Sequence, residues 1–482
     1  MDTNQNTAAS RSMSETLLIV SLLIGAFLST LNMTNINIAL PTLMTYFHTD
    51  MAAVQWIVVG FMLTNGLIMP AIGYFTDRFG GRNLFTFGLL TLAVSSALCA
   101  LAPTIEVLIA ARLLQGISGG IIMPVPFTLV YQFVSRERQL MTTSIVSVAI
   151  ALGTALGPTV AGLFIESYGW QSLFLFNIPF ALLDCILVLK FVPHRAFHTN
   201  KKLDVFGLIA SAIATVAILF GFNQGSNLGW TSPITIALLF VGTVCLVYFI
   251  LRELKVQDPM LNFTVFRYKG FRYTFVFNAV ANIALCLTPM FMAIFLQSVS
   301  GLNALEAGLA MLVPALFMGI MSPISAKCTK YLSKQMLILL GMLIFLLATW
   351  QLSLFTVTTT VLVFNIWLSV RYIGIGLMNP LLTDFSMGSV PPALSGHASA
   401  MMNWTRQLLT TITVSMFSLL YNSRLLQYAK EGSGRSLDPI AQQQLIQANA
   451  ISDINFYTMV IILISLPMVY LLKDSLLDNN NS

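Results

Sequence analysis

The chain has 482 residues, of which 57% are hydrophobic and only 9% are charged. Soluble domains carry about 25% charged residues, so this composition excludes a soluble globular protein and predicts an integral membrane protein. The net charge of +6 does not indicate nucleic-acid binding, because the basic residues cluster in short connections between apolar segments. The five cysteines form no CxxC pair, which favours packing roles and predicts no metal site.

Fourteen segments are long and apolar enough to cross a bilayer, which takes about 20 mostly apolar residues. In chain order, the predicted helices 1 to 14 cover 16–38, 53–74, 84–102, 105–131, 141–165, 171–191, 204–222, 233–251, 272–298, 306–326, 335–355, 360–383, 395–421 and 454–472. Strands of a membrane barrel would instead alternate over about ten residues. The sequence therefore predicts an all-α integral membrane protein.

The lysines and arginines predict the orientation. Eighteen of the 24 fall on the side of the N-terminus, three fall in one polar loop on the other side, and three lie within helices. Because positively charged connections stay in the cytoplasm, both termini are predicted to be cytoplasmic. We expect a multi-pass protein of a bacterial plasma membrane.

The predicted helices group into two bundles with an insertion between them. The predicted organisation is an N-terminal tail 1–15, a six-helix bundle 16–191, a linker with two extra helices 192–271, a second bundle 272–472 with a long outer loop 422–453, and a tail 473–482. "PAIGYFTDRFGGR" from Pro70 aligns with "PISAKCTKYLSKQ" from Pro323, and "RLLQGISGG" from Arg112 echoes "RYIGIGLMNP" from Arg371. Repeated halves around a site at the membrane midplane are typical of secondary transporters.

Four motifs resemble the major facilitator superfamily, specifically its fourteen-helix drug:proton antiporters. "GYFTDRFGGR" resembles the superfamily signature between helices 2 and 3, and "ALGTALGPTVAG" resembles the helix 5 signature of exporters. "ARLLQGISGG" is similar to the helix 4 signature, and "LNMTNINIALP" is similar to that of helix 1. The resemblance covers essentially the whole chain. Many relatives carry an acidic residue in helix 1 where this chain has Asn32.

The motif between helices 2 and 3 is predicted to form a conformational gate. Asp77 lies at a cytoplasmic helix junction, where a carboxylate can cap a helix and pair with arginines. The alternative, a basic loop that only sets topology, does not explain an acid among the arginines. The predicted gate residues are Gly73, Asp77, Arg78, Gly80, Arg82, Arg136 and Arg138.

Small residues recur on helix 5 at Gly153, Gly157, Pro158 and Gly162. Glycines allow close helix contact, and proline removes a backbone hydrogen bond and bends the helix. We expect a kinked, tightly packed hinge between the halves, with generic packing as the alternative.

Charged residues within predicted helices are candidates for proton coupling, because a charge inside the membrane is costly. The resemblance assigns Arg112 to proton transfer or to the electrostatics of the cavity. Asp184 and Asp384 are the acids placed within spans, and either could carry a proton. The alternative is that each reaches the aqueous face. His397 is interpreted as a solvated helix cap.

Amides, aromatic residues and the other buried-looking arginines are candidates for a substrate cavity, because a mixed lining suits amphipathic molecules. They are Asn32, Asn65, Gln115, Phe127, Arg371, Asn379, Asn403, Trp404 and Arg406. Hydrogen bonding between helices is the alternative for each amide, and bonding to helix carbonyls is the alternative for Arg371 and Arg406.

The resemblance implies a secondary transporter that exports amphipathic small molecules, drugs or toxic metabolites, by proton antiport with alternating access. Its partners would be the substrate, protons and the lipid bilayer, and we expect a monomer without a cofactor. No nucleotide P-loop, HExxH motif or nucleophile elbow is present in the sequence, so no enzyme activity is predicted. The alternatives are an exporter of one metabolite, lipid or peptide, and a membrane sensor that kept the fold without transporting.

Overall fold

The computed structural model describes residues 2–194, 202–432, 438–470 and 472, and every regular element in those ranges is helical. All fourteen predicted helices are present. Thirteen of them are long and apolar enough to cross a membrane, and the remaining one, helix 13, is long but more polar. The tail predicted at 473–482 lies outside the described residues.

The first eight helices contain several breaks. Four of them are continuous: helix 3 is Gly81–Ala100, helix 5 is Arg136–Tyr168, helix 7 is Val205–Leu228 and helix 8 is Pro233–Glu253. The other four are broken: helix 1 is Asp2–Thr34 and Ile36–Phe47, helix 4 is Ile105–Ile122 and Val125–Phe133, and helix 6 is Ser172–Leu175 and Asn177–Phe191. Helix 2 is Met51–Ile68 and Ile72–Phe79, joined by the 3-10 turn Met69–Ala71. Residues 2–15 of the predicted tail are thus part of helix 1, and residue 1 lies outside the described residues. Pro70 and Pro124 lie at two of the breaks, as expected for a residue without a backbone N–H.

The last six helices follow a 3-10 turn, Phe263–Arg267. Helix 9 is Lys269–Ile294 with a closing π turn Phe295–Val299, helix 10 is Ala304–Cys328, helix 11 is Lys334–Leu352, helix 12 is Val361–Gly388, helix 13 is Ser395–Gly432 after the 3-10 turn Pro392–Leu394, and helix 14 is Pro439–Ser465. Helix 10 begins with a capping box, in which Asn303 and Glu306 each bond the other's backbone amide.

The chain forms two compact units. The first comprises Met1–Phe220, Phe240–Arg267 and Val390–Trp404, and the second comprises Gly221–Leu239, Tyr268–Ser389 and Thr405–Ser482. In the first unit, helix 3 packs on helices 4 and 6, helix 2 on helix 4, and helix 1 on helices 5 and 6. In the second unit, helix 11 packs on helices 12 and 14, helix 10 on helix 12, and helix 9 on helix 14. Four of these pairings, helices 3 and 4, 3 and 6, 2 and 4, and 1 and 6, recur eight helices later, as expected for two related bundles.

Glycines bring paired helices close together in both units. A Cβ added to Gly116 of helix 4 would overlap Thr64 and the carbonyl oxygen of Phe61 on helix 2. A Cβ added to Gly374 of helix 12 would lie 2.6 Å from the carbonyl oxygen of Gly341 on helix 11. Backbone atoms cannot move aside as a flexible side chain can, so these positions require glycine.

The segment 422–453, predicted to be a long outer loop, is helical over most of its length. Helix 13 continues to Gly432 and helix 14 begins at Pro439. The two extensions are joined by an ion pair of 3.3 Å between Arg424 and Asp453 and by a hydrogen bond of 3.0 Å from the Tyr428 hydroxyl to Asp453. The loop prediction was wrong here because low hydropathy excludes burial in lipid but does not exclude a helix, and Gln, Ala and Leu favour helices.

Candidate functional site

Arg112 of helix 4 is the centre of a polar network inside the first unit. The side chain is fully buried, and its Nε donates to the carbonyl oxygen of Ile57 at 3.2 Å. Its Nη1 donates to Gln115 Oε1 at 2.6 Å and to Asn32 Oδ1 at 3.4 Å. The guanidinium carbon also lies 4.4 Å from the ring centre of Phe61, which adds a cation–π contact.

The network extends from helix 4 to helices 3 and 6. Gln115 Nε2 donates to Ser96 Oγ at 2.8 Å, and Asn177 Nδ2 donates to Asn32 Oδ1 at 3.4 Å. Within the described part of the chain, Arg112 Nη2 and Asn177 Oδ1 have no hydrogen-bond partner, and the bonded partners of Arg112 are all neutral. The network therefore keeps a positive charge, a spare donor and a spare acceptor.

Sequence reasoning missed Ser96 and Asn177. Asn177 could have been found, because it is an amide inside the apolar run "LFLFNIP" of helix 6. Ser96 carries no comparable signal, because a serine in a membrane helix usually bonds its own backbone.

The carboxyl group of Asp184 is enclosed between helices 1, 3 and 6. The residue is 0% exposed, and among the described residues neither carboxyl oxygen makes a hydrogen bond of regular geometry, although the backbone amide of Gly25 approaches the group. A Cβ added to Gly25 of helix 1 would lie 3.2 Å from Asp184 Oδ2 and 2.6 Å from the ring of Phe85 on helix 3. The alternative that Asp184 simply reaches the aqueous face is therefore wrong in this structure.

Asp384 has a different environment, in the second unit. Lys334 Nζ, at the start of helix 11, lies 2.6 Å from Asp384 Oδ2, and the lysine side chain is 38% exposed. The charge of Asp384 is thus balanced by a cation that reaches the surface of the chain.

Asp77 of the predicted gate bonds a histidine distant in sequence. Asp77 Oδ2 lies 3.1 Å from Nε2 of His397, near the start of helix 13, and the backbone N–H of Asn262 donates to His397 Nδ1 at 3.2 Å. Because Nδ1 accepts a hydrogen bond, this network assigns the proton of a neutral ring to Nε2, which donates to Asp77. The His397 side chain is only 1% exposed, so its interpretation as a solvated cap was wrong.

Two glycines allow helix 2 and the start of helix 13 to meet at this point. A Cβ added to Gly73 would overlap the His397 ring. A Cβ added to Gly396 would lie 3.1 Å from Thr76 Cβ. The contact accounts for Gly73 in the motif.

The start of helix 13 makes two further hydrogen bonds within the first unit. Ser399 Oγ donates to the carbonyl oxygen of Pro124, at the break of helix 4, at 2.6 Å. Trp404 Nε1 donates to Thr215 Oγ1 of helix 7 at 2.9 Å. Trp404 is therefore packed against the inserted helix 7.

Three of the four predicted gate arginines have acceptors of their own. Arg78 donates to the hydroxyl of Tyr74, Arg82 donates to the carbonyl oxygen of Leu189 in helix 6, and Arg138 pairs with Glu15 at 3.3 Å. Gly80 joins helices 2 and 3 with a φ of 80°, a conformation that favours glycine. No hydrogen bond or ion pair of Arg136 is found in the described part of the chain.

The helix 5 motif packs on helix 1 of the same unit. Added Cβ atoms at Gly153 and Gly157 would overlap Thr30 and Thr34, and Thr34 Oγ1 donates to the Gly153 carbonyl oxygen at 3.4 Å. Gly162 has no neighbour within 4 Å of an added Cβ. The side chain of Pro158 lies outside those described. The first two glycines thus serve contact between helices 1 and 5, while a hinge between the halves stays a prediction.

Arg371 occupies the corresponding place in the second unit. Its Nη1 donates to Asn455 Oδ1 of helix 14 at 3.3 Å, and its Nη2 donates to the Ala284 carbonyl oxygen of helix 9 at 3.2 Å. Its guanidinium carbon lies 5.1 Å from the ring centre of Phe345 on helix 11. This geometry favours the structural alternative for Arg371.

The other predicted cavity residues are dispersed. Asn65 packs on Gly119 of helix 4, Phe127 is buried in the second part of that helix, and Asn403 donates to the Ser399 carbonyl oxygen at 2.9 Å. Asn379 and Arg406 are half-buried in the second unit. Within the first unit, the structure brings Asn32 and Gln115 together around Arg112.

Two related six-helix bundles, each with a buried polar network, are typical of multi-pass membrane transporters. The family model of the Major Facilitator Superfamily matches residues 22–414, and the chain belongs to this family.

Named relatives and a solved structure agree with this assignment. The chain is 32% identical to the uncharacterized MFS-type transporter YhcA of Bacillus subtilis (strain 168), covering 84% of this chain and 76% of that protein. It is 27% identical to the methylenomycin A resistance protein of Streptomyces coelicolor, covering 84% and 85%. The fold is similar to the crystal structure of the human organic anion transporter MFSD10 (TETRAN), with a TM-score of 0.62, 14% identity, and coverage of 93% of this chain and 99% of that one.

Proposed function

We propose that the protein exports amphipathic small molecules, drugs or toxic metabolites, from a bacterial cell by proton antiport. The name of the Streptomyces relative, a resistance protein for one antibiotic, supports export of toxic compounds. A membrane potential supplies about 2.3 kcal/mol per charge per 100 mV, so one entering proton can support a substantial gradient of a neutral compound. Access would alternate between the two sides as the bundles move.

The observation that carries the antiport proposal is the enclosed carboxyl group of Asp184. An ionised carboxylate without a partner in the membrane interior is very unfavourable. Asp184 therefore has to be neutral while it is enclosed, and it can lose its proton only in a conformation that admits water or a cation. Asp384, which is paired with Lys334 at 2.6 Å, has no such requirement.

Helix 1 would link the proton site to the Arg112 network. Gly25 of helix 1 packs beside Asp184, and Asn32, two turns further along, accepts a hydrogen bond from Arg112. A movement of helix 1 that opens the carboxyl group would also strain or break the bond between Asn32 and Arg112. Loading of the proton and rearrangement of the polar network would then occur together.

The distribution of basic residues supports cytoplasmic termini and a location in the plasma membrane. We propose that the protein works as a monomer. With this orientation, the contact between Asp77 and His397 lies at the cytoplasmic face, where its closure would shut the opening through which substrate enters from the cytoplasm.

Efflux assays on the variant Asp184→Asn test the proposal. In a drug-sensitive bacterial strain, we expect the wild-type protein to expel ethidium or a neutral antibiotic, and a proton uncoupler to abolish this export. Asp184→Asn should reach the membrane but lose about tenfold or more of concentrative export, because its amide cannot exchange a proton. Asp384→Asn is the matched control and should keep uncoupler-sensitive export.

Each part of the proposal can fail separately. Wild-type export that survives the uncoupler contradicts proton antiport, and coupled export by Asp184→Asn contradicts the proton site. A compound panel that identifies a single exported molecule favours the narrow-specificity alternative. Absence of flux for every compound in reconstituted vesicles favours the sensor.

A further inference from the structure

Residues 254–267, which connect helix 8 to helix 9 and are here called the strap, are held down by two consecutive backbone amides. The N–H of Leu261 donates to Glu253 Oε2 at 3.1 Å, and the N–H of Asn262 donates to His397 Nδ1 at 3.2 Å. Met260 and Leu261 are both 0% exposed. A connection that only links two helices has no need to be buried in this way.

The start of the strap is anchored to the inserted helices 7 and 8. Glu253, the last residue of helix 8, is buried, and the neighbouring Arg252 Nε lies 2.7 Å from Asp204 Oδ2 just before helix 7. Burial raises the pKa of Asp204, but hydrogen bonds from Arg252 and from the Gly207 amide outweigh it and lower that pKa below its usual value. Asp204 therefore stays ionised at neutral pH and keeps the anchor intact.

The bend of the strap that presents the Asn262 amide is formed by the Asn262 side chain. Its Oδ1 accepts hydrogen bonds from the backbone N–H of Thr264 at 2.9 Å and from the Thr264 hydroxyl at 2.6 Å. This arrangement is an Asx turn, in which a short polar side chain replaces a backbone acceptor. The side chain of Asn262 thus shapes the strap, while its backbone contacts the gate histidine.

We propose that the strap clasps the gate through His397 and so couples the inserted helices 7 and 8 to gate opening. His397 binds the strap with Nδ1 and Asp77 with Nε2. The ring therefore cannot leave Gly73 and Asp77 without also leaving Asn262. This inference rests on the proposed function in one respect, that the contact between helix 2 and helix 13 opens during transport.

A disulfide reporter measures gate contact without any substrate. In a background with the five native cysteines replaced, Thr76→Cys and Gly396→Cys would place their Cβ atoms near each other, since an added Cβ at Gly396 lies 3.1 Å from Thr76 Cβ. This is within reach of a disulfide after a small adjustment. The rate of disulfide formation under a fixed oxidant then reports how often the two helix ends are in contact.

Variants of Asn262 test the strap without touching His397 or Asp77. Asn262→Ala removes the acceptor for Thr264, and we expect about tenfold faster hydrogen–deuterium exchange of a peptide that covers 258–264, equivalent to loss of one hydrogen bond. Disulfide formation should slow by about fivefold in the same protein. Asn262→Asp keeps an acceptor oxygen and should restore both values.

A second variant addresses the histidine itself. His397→Phe preserves the ring that packs on Gly73 but removes both hydrogen bonds, and it should raise exchange of the strap and slow the disulfide at least as much as Asn262→Ala. His194→Phe is the matched control at an exposed histidine and should change neither value. If His397→Phe does not fold, the Asn262 pair decides alone.

Two results overturn the clasp. One is unchanged exchange and unchanged disulfide rate in Asn262→Ala. The other is a strap that exchanges faster while the disulfide rate stays the same, which would mean that the strap does not hold the gate. Failure of the proposed export is distinguishable, because both readouts use purified protein without substrate or proton gradient.

Discussion

The two bundles place an arginine at the same point of the fourth helix but bind it differently. In the second bundle, Arg371 donates hydrogen bonds directly to Asn455 of helix 14 and to a backbone carbonyl oxygen of helix 9. In the first bundle, the link from Arg112 to helix 6 among the described residues is indirect, through the side chain of Asn32, which accepts hydrogen bonds from both Arg112 and Asn177. The comparison indicates that an arginine tying the first and sixth helices belongs to the shared scaffold, whereas the bridging amide on helix 1 belongs to the first bundle alone.

The connection between the second and third helices also shares one contact between the bundles and differs in another. Arg82 donates to the Leu189 carbonyl oxygen in the sixth helix of the first bundle, and Gln335 donates at 3.2 Å to the carbonyl oxygen of Val469, four residues after the end of helix 14. The alignment of Pro70 with Pro323 pairs Arg82 with Gln335 and Asp77 with Lys330. Lys330 is exposed, while Asp77 bonds His397. The contact between Asp77 and His397 thus belongs to the first repeat, and the aligned residue of the second repeat is an exposed lysine.

Asp184 also lacks a counterpart. It lies seven residues after Asn177, and the residue seven after Asn455 is Ile462, which is 2% exposed. The second bundle fills this place with a hydrocarbon side chain, so the fold itself does not require a carboxyl group there. That difference supports the proposal that Asp184 serves transport.

Replacing Ile462 with an acid and Asp184 with a hydrocarbon residue should give the largest difference in stability. Ile462→Asp buries a carboxyl group without a partner, and we expect a loss of about 4 kcal/mol of stability. Asp184→Leu should be neutral or gain about 1 kcal/mol while losing coupled export. Thermal unfolding midpoints in one detergent, measured alongside efflux, compare the two. A strong destabilisation by Asp184→Leu would instead make the carboxyl group structural.

Alanine substitutions of Asn455 and Asn177 should differ by a smaller amount in their cost in stability. Asn455→Ala leaves a buried guanidinium without its side-chain acceptor, for an expected cost of about 2 kcal/mol, whereas Asn177→Ala removes a neutral hydrogen bond worth about 1 kcal/mol. The same thermal measurement ranks them. Equal costs would mean that Asn32 transmits the charge of Arg112 to helix 6 as effectively as a direct bond.

The smallest effect is expected at the second bundle's ion pair. Lys334→Gln removes a pair with a partly exposed lysine, so its expected cost is about 0.5 kcal/mol, with export changed by less than about twofold. Asp77→Asn is the contrasting variant, because the gate loses the charged acceptor for His397 and most export with it. Similar export by Lys334→Gln and Asp77→Asn would mean that the contact of Asp77 with His397 matters no more for transport than the ion pair of Asp384 with Lys334.

Hydropathy located all fourteen helices, because lipid imposes a long apolar run on any spanning segment. It also directed attention to Arg112, Asn32 and Gln115, since polar groups in such runs are rare. Partners from remote parts of the chain were not predictable: His397 lies 320 residues from Asp77, and a single sequence carries no record of that proximity. The enclosure of Asp184 depends on Gly25 and Phe85, whose roles emerge only once helices 1, 3 and 6 are packed.

The paired extensions of helices 13 and 14 offer a practical handle for imaging. Helix 13 has 38 residues, about 57 Å at 1.5 Å per residue, against a hydrocarbon core of about 30 Å. The bonds of Asp453 to Arg424 and Tyr428 join the two extensions side by side. A transporter with little mass outside the membrane is difficult to align in electron micrographs. An antibody fragment raised against these extensions would add a fiducial bound outside the hydrocarbon core.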